Sequence, residues 1–273
     1  MCGFNGFIGK PTNGFEKKWQ SAQKTQIHRG PDSQKQNVIS LKKNRIFLGF
    51  QRLSIIDLTP DANQPMFSDS GDSLIMFNGE IYNYLEIKKE LQSKGLVFKT
   101  TSDTEILLKS IDFWGVEKAC KKLNGMWSFA HIDLRSKKLF LSRDRFGKKP
   151  LYIFDSEEGI YFSSEAKSLL AMLGKKFSLN YQVIGEFLFQ SQINTSDQHF
   201  LNGINQVSPS SIFIYSIDNN IKHLNSLKYW NYPKIENESK SFDRELSEAR
   251  QTLFDSVNLR MRSDVPIGLL FSG

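Results

Sequence analysis

An α+β sandwich is the fold class this sequence predicts, and three observations carry the prediction. Short strand-like segments crowd the middle of the chain. Some of them are apolar on both faces, as a strand covered on both sides must be. The helical segments stand in groups between blocks of strands rather than alternating with each one, which separates layers of helix from layers of sheet.

Taken in order, "NRIFLGFQRLSII" (44–56) reads as a strand covered on both sides, and "DSLIMFNG" as a second strand that ends at Asn78-Gly79, a common turn pair. "NYLEIKKELQSKG" follows as a helix stopped by Gly95. The spacing of "SDTE" (Ser102 to Glu105) predicts a capping box, and "ILLKSIDFWG" continues that helix to Gly115. Four strands come next, "MWSFAHIDL", "KKLFLSRD", "PLYIFD" and "GIYFSSE", separated by turns such as "DLRSKK" and "DSEEG". Helices are expected over "SEAKSLLAML" and "NYQVIGEFLFQ", then a hairpin over "SSIFIYSIDNNIKHL". The polar stretch "YWNYPKIENESKS" reads as a linker. Beyond it, residues 242–262 carry Leu246, Ala249, Leu253, Val257 and Met261 on one helical face. Residues 265–271 read as a buried strand running into a Ser-Gly loop. One helix and one strand cannot enclose a core, so this second unit begins without being completed.

Composition narrows the classes. With 39% hydrophobic and 24% charged residues the chain matches a soluble globular protein. It has no apolar run near the ~20 residues that span a bilayer, and its first residues lack the charged and apolar regions of a signal peptide. Cys2 and Cys120 are too few for a disulfide framework, which fits a reducing cytosol. Cys120, in "VEKACKKLNG", reads as a small buried hydrophobe. The four histidines show no metal-ligand spacing, so no metal site is expected. The net charge of +7 comes from 26 lysines and 10 arginines, scattered rather than gathered in a stripe. No nucleic-acid-binding motif accompanies them, so neither nucleic acid nor membrane is an expected partner.

Chemistry enters at "MCGFNG". If Met1 is removed, Cys2 carries both a thiol, with an ordinary pKa near ~8.5, and a free α-amine near ~7.7–8.0. Such an amine can take the thiol proton at neutral pH, directly or through one water, so that one residue supplies nucleophile and base. Gly3 removes crowding beside that centre. The chain then presents "HRGPDS" (28–33), "QRLSIIDL" (51–58), "MFNGEIYNY" (76–84), "TSDTEILL" (101–108), "LNGMWSFAHID" (123–133), "SRDRFGKKPLYI" (142–153) and "FSSEAKSLL" (162–170). This ordered series resembles the class II glutamine amidotransferases, and among them the glutamine-hydrolysing asparagine synthetases. The resemblance covers residues 2–232 as the glutaminase domain. It implies an N-terminal-nucleophile fold, an αββα four-layer sandwich of antiparallel sheets. Residues 233–273 then resemble the linker and incomplete start of an α/β ATP-pyrophosphatase-type synthetase domain, with Phe271, Ser272 and Gly273 opening its pyrophosphate-binding loop.

Free glutamine is a zwitterion with a side-chain amide, so its pocket needs a cation, an anion and an oxyanion hole. Arg52 can hold the α-carboxylate by a two-pronged pair. Within an apolar strand, such an arginine requires an anionic partner. Asp103 can take the α-ammonium from a helix start that already favours a carboxylate. Asn78 offers a side-chain amide, and Gly79 a backbone N–H that a missing Cβ leaves open; together they could hold the oxyanion when Cys2 attacks. By resemblance Leu53, Ser54, Ile55, Ile56 and Glu80 line the same pocket. His28 reads as part of a structural turn, and "RDRFGKKP" (143–150) as scaffold outside the site.

The resemblance implies hydrolysis of glutamine to glutamate and ammonia through a Cys2 thioester, with no cofactor. ATP and Mg2+ would serve only the complete synthetase, which activates aspartate. Its loop stops short here, because the second Gly and the Asp-Ser that should follow Ser272-Gly273 are missing. "VSPSS" (207–211) replaces a Pro-Pro-Gly turn. Residues 233–273 are expected to take no part in hydrolysis, and to be disordered or to pack on a neighbour or on the glutaminase surface. Glutamine is the expected partner, with aspartate and ATP in the full-length protein and a homodimer as the assembly to test. Two alternatives stay open: a relative with a different ammonia acceptor, and a catalytically silent regulatory or binding module.

Overall fold

The chain enters its fold directly as a strand, β1 (Gly3–Gly9), every residue of which is buried. Residues 1–191, 197–233 and 241–268 are described by the computed structural model. After β1 come α1 (Phe15–Lys24), β2 (Ser33–Ser40), β3 (Arg45–Arg52), β4 (Met66–Phe67) and β5 (Ser73–Ile81). Three helices follow: α2 (Tyr84–Gln92), α3 (Asp103–Trp114) and α4 (Val116–Lys122). Then come β6 (Gly125–Asp133), β7 (Lys138–Arg143), β8 (Tyr152–Asp155) and β9 (Gly159–Ser163), with α5 (Ala166–Leu173) and α6 (Tyr181–Gln190). The remaining elements are β10 (Asn205–Gln206), β11 (Ser211–Ser216), β12 (Lys222–Lys228) and α7 (Phe242–Arg260).

The strands form two six-stranded sheets, β10-β8-β9-β1-β3-β2 and β12-β11-β7-β6-β5-β4, and every pairing is antiparallel. Alternation along the strands sends successive side chains to opposite faces, and the core divides accordingly. Phe4, Ile8, Ile46, Leu48 and Phe50 of the first sheet meet Leu74, Met76, Ala130, Ile132 and Leu141 of the second between the sheets. On the outer face of the first sheet, Phe7 and Phe47 pack under Phe15 and Trp19 of α1 and Leu169 of α5. On the outer face of the second, Ile75, Phe77 and Phe129 pack under α2, α3 and α4. The order α–β–β–α is the expected four-layer sandwich, and β3 is covered on both sides as its sequence required.

Several local expectations need correcting. β5 does not stop at Asn78-Gly79; both residues pair with β6, Asn78 opposite Ser128 and Gly79 opposite Trp127. A Cβ on Gly79 would lie 2.1 Å from the Met126 carbonyl oxygen. Close approach of β6 therefore requires glycine there, and no turn does. The capping box forms only in part. Ser102 Oγ accepts the Thr104 N–H at 3.1 Å, but the Glu105 carboxylate turns away to the amides of Lys99 and Thr100. The linker also starts later than its composition suggested. Tyr229 is buried, stacks on Trp127 and donates its hydroxyl to the Arg143 carbonyl at 2.8 Å.

Past the sandwich, α7 has no buried residue, and Leu246, Leu253, Val257 and Met261 of the anticipated stripe are all exposed. Residues 265–268 are not a strand; Phe271, Ser272 and Gly273 lie outside the described residues. No described helix is long and apolar enough to cross a membrane.

Candidate active site

β1 delivers Cys2 to one end of the sandwich, because its first residue pairs with Gln51, next to the end of β3. The glycine after the cysteine is needed there: a Cβ on Gly3 would lie 2.5 Å from Gln26 Oε1 and 2.9 Å from Arg29 Cδ. Arg29 Nε in turn donates to the Cys2 carbonyl at 2.9 Å. The thiol is clasped by the backbone of Leu53, donating to its carbonyl at 3.5 Å and accepting its N–H at 3.4 Å. Burial raises the pKa of the Cys2 thiol, with the Leu53 amide acting against that rise.

Around the thiol lies a cavity of about 130 Å³. That is well below the ~300–1,000 Å³ of sites for drug-sized ligands and suits a single small metabolite. Cys2, Arg52, Leu53, Ile55 and Ile56 line it from the residue before β1, the end of β3 and the loop after β3, and Asn78, Gly79, Glu80 and Asp103 from the second sheet and α3. All nine were expected. Ser54 is the exception: it does not line the cavity, and its N–H donates outward to Asp32 Oδ2 at 2.7 Å. Asp32, within "HRGPDS", thus holds the loop after β3, consistent with a structural turn there. His28 is more than half exposed and pairs with Glu165 at 2.8 Å, away from the thiol.

The polar groups differ in what already occupies them. Asn78 is 1% exposed and its Nδ2 has no hydrogen-bond partner. Buried side-chain donors nearly always have one, so a free donor facing a cavity is a place for a ligand acceptor. Asp103 accepts the Ile81 N–H at 3.0 Å, and burial, reinforced by the nearby Glu80 charge, pushes its carboxyl up to about 7. The guanidinium of Arg52 is buried, yet its partners are neutral: Nη1 donates to Thr59 O at 2.7 Å and to Asn63 Oδ1 at 3.0 Å, and Nη2 to the carbonyls of Ile56 and Asp57. The anionic partner expected from the sequence is thus not a protein carboxylate among the described residues. The charge remains uncompensated beside the cavity.

A family model for the glutamine amidotransferase domain matches residues 1–230. The chain belongs to that family. Among curated relatives, the glutamine-hydrolysing asparagine synthetase 1 of Bacillus subtilis is 35% identical over the whole chain. A putative glutamine-hydrolysing asparagine synthetase of Methanocaldococcus jannaschii is 32% identical, also over the whole chain. The chain spans 42% and 55% of the length of these two relatives. The glutamine phosphoribosylpyrophosphate amidotransferase of B. subtilis has the same fold at 17% identity, with a TM-score of 0.60 over 84% of this chain and 49% of that one.

Lys149 also lines the cavity, although its stretch "RDRFGKKP" reads as scaffold in the sequence. The rest of that motif is scaffold. Arg143 is spent on the carbonyls of Lys149, Val207 and Gly147, and Asp144 gathers the amides of Trp127, Phe146, Lys148 and Lys149. That knot aims the Lys149 ammonium at the N-terminus, 3.0 Å from Met1 Sδ. Burial lowers the pKa of Lys149, against the pull of Glu80. Nothing in a pair of adjacent lysines signals which one turns inward. Gln64 and Thr104 also line the wall, joined to each other at 3.2 Å.

Two other features resolve as structure. A recess of about 820 Å³ beside α3 is larger, but its lysines are already paired: Lys99 and Lys109 with Asp69, and Lys109 also with Glu105. Cys120 is fully buried and its thiol is pushed up to about 12 by that burial, which leaves it inert.

Proposed function

We propose that this domain hydrolyses glutamine to glutamate and ammonia through a thioester on Cys2, and that it supplies ammonia to an asparagine-synthetase-type acceptor domain. The observation that carries the reading is the unpartnered Nδ2 of Asn78 in the same small cavity as the Cys2 thiol, an uncompensated guanidinium and a buried carboxyl.

While Met1 is present the nitrogen of Cys2 is an amide and cannot act as a base. Loss of Met1 turns it into an amine and clears a side chain from the cavity rim. The terminal amine already has a lowered pKa, chiefly through burial, with the Arg29 and Lys149 charges adding to that effect against the Cys2 thiolate. An amine one residue further in lies near the same two cations, which favour its free-base form. It takes the thiol proton as Cys2 Sγ bonds to the side-chain carbonyl carbon of glutamine. The oxyanion is received by Asn78 Nδ2, with a backbone N–H at Gly79 as second donor. The ammonium at Cys2 then protonates the departing nitrogen, the C–N bond breaks, and ammonia leaves a γ-glutamyl thioester. Water, giving its proton to the same amine, attacks the thioester and releases glutamate and the free thiol. Arg52 and Asp103 hold the α-carboxylate and α-ammonium. Hydrolysis needs no cofactor; ATP, Mg2+ and aspartate belong to the acceptor reaction.

The test is glutamate release from glutamine by chain whose terminus has been mapped by mass spectrometry. Chain starting at Cys2 should turn over and react with a glutamine-like electrophile at Cys2. Cys2→Ser should bind glutamine but lose turnover by several orders of magnitude, the scale on which enzymes lose activity without their nucleophile. Labelling at Cys120, or turnover by chain that retains Met1, would refute the reading.

A further inference from the structure

Residues 260–264, at the end of α7 and just beyond it, come back to the cavity wall. Arg262 grips Glu86 at the start of α2 with two parallel bonds, Nη1 to Oε2 and Nη2 to Oε1, both 2.6 Å, and Nη1 also donates to the Tyr82 carbonyl at 2.6 Å. The Arg260 guanidinium stands 4.6 Å over the Tyr82 ring. Two residues on from Arg262, Asp264 joins the opposite wall. Its N–H donates to the Ile55 carbonyl at 2.9 Å, and its Oδ2 accepts the Asp57 N–H at 2.7 Å. One short segment thus ties the loop after β3 to the rim formed by the end of β5 and the start of α2.

The loop it reaches is the one the glutamine site is built on. Ile55 and Ile56 line the cavity, and the Ile56 and Asp57 carbonyls take Arg52 Nη2. Asp57 adopts a left-handed backbone, with φ of 56°, a conformation that costs a non-glycine residue energy and persists only where surrounding bonds hold it. Its carboxylate is held by the amides and hydroxyls of Thr59 and Thr101. Its own N–H is held by Asp264 alone among the described contacts. The Arg262–Glu86 pair is partly exposed and orients the segment more than it stabilises it. The charged acceptor at Asp264 is the stronger element.

We propose that Asp264, oriented by Arg262, is a positioning residue for the glutamine site: it latches the 53–57 loop so that Arg52 and the cavity wall stay set for glutamine, and the segment leading into the acceptor domain thereby controls glutamine affinity. The proposal rests on the reading of the cavity as a glutamine site. It departs from the expectation that residues 233–273 take no part in hydrolysis.

The experiment uses the full chain with its terminus at Cys2, in wild-type form and as Asp264→Ala and Asp264→Asn. An asparagine oxygen can still accept the Asp57 N–H; alanine cannot. Amide hydrogen exchange at residues 55–57 and the kinetics of glutamine hydrolysis are measured on all three. Asp264→Ala should speed exchange at Asp57 and raise KM on the order of tenfold, the effect of one bond to a charged acceptor, with kcat within about twofold of wild type. Asp264→Asn should restore both. No packed cluster of the sandwich includes residues 260–264, so thermal unfolding should not move, and a general loss of fold would show in kcat as well. Unchanged exchange or unchanged KM in Asp264→Ala, or failure of Asp264→Asn to rescue, overturns the latch. A wild-type chain that does not hydrolyse glutamine overturns the underlying functional reading, and the latch with it, so the two failures are distinct.

Discussion

Replacing Asn78 by alanine should separate catalysis from folding more cleanly than any other change in this domain. Nδ2 of Asn78 is buried and bonded to nothing, so its removal leaves no partner unsatisfied. A buried amide donor without a hydrogen bond costs about 1–3 kcal/mol. Relief of that cost offsets the small void left by truncation, and the net change in unfolding free energy should stay within ~1 kcal/mol. The effect on turnover is of another size. A donor aimed at a developing oxyanion contributes ~2.7–4 kcal/mol to the transition state, which at 1.36 kcal/mol per decade is a fall of ~10²–10³ in kcat. Steady-state glutamate release, with thermal unfolding measured on the same samples, gives both numbers. A kcat within about threefold of wild type in a folded variant would mean that Asn78 does not meet the oxyanion, and the assignment of the hole would be wrong.

Asp103 gives the pH dependence. Its carboxyl is raised to about 7 in the empty pocket, so below that pH it is protonated and cannot pair with the α-ammonium. The kcat/KM, which reports the free enzyme, should therefore fall tenfold per pH unit on the acid side of about 7, and Asp103→Asn should remove that limb along with most glutamine affinity. Gly79→Ala should destabilise the domain by at least about 3 kcal/mol in denaturant titrations, because its Cβ would meet the Met126 carbonyl at 2.1 Å and neither paired strand can give way cheaply. Deleting residues 233–273 removes the exposed face of α7 and should improve solubility. No packed cluster extends past Trp230, so unfolding of residues 1–232 should be nearly unchanged. KM for glutamine should rise with loss of the Asp264 bond; unfolding of the truncated domain would show that the tail belongs to its core.

What the sequence by itself determined is what depends on near neighbours in the chain. Period-two alternation located β6 to β9 and the β11–β12 hairpin, and Gly95 and Gly115, both with positive φ, marked where helices end. The candidate residues too were legible, because "MCG", "QRLSII", "NGE" and "SDTE" offer the thiol, cation, amide donor and carboxylate that line one cavity in the fold. The tertiary structure decided how those residues are used. Asn78-Gly79 looked like a turn because the pair is common in turns, yet pairing with β6 keeps it in a strand, a preference that exists only once the two strands meet. Arg52 reads in the sequence as the cation for a ligand carboxylate, and only the folded loop after β3 shows that its protein partners are neutral acceptors. Lys149 and Asp264 could not be found from the chain alone. Both reach the site from more than a hundred residues after Cys2, Lys149 turned inward by the amide knot of Asp144 and Asp264 bonded to Asp57. Neither contact has a local sequence signature, because it forms only when the two sheets and the segment after α7 have packed around the same cavity.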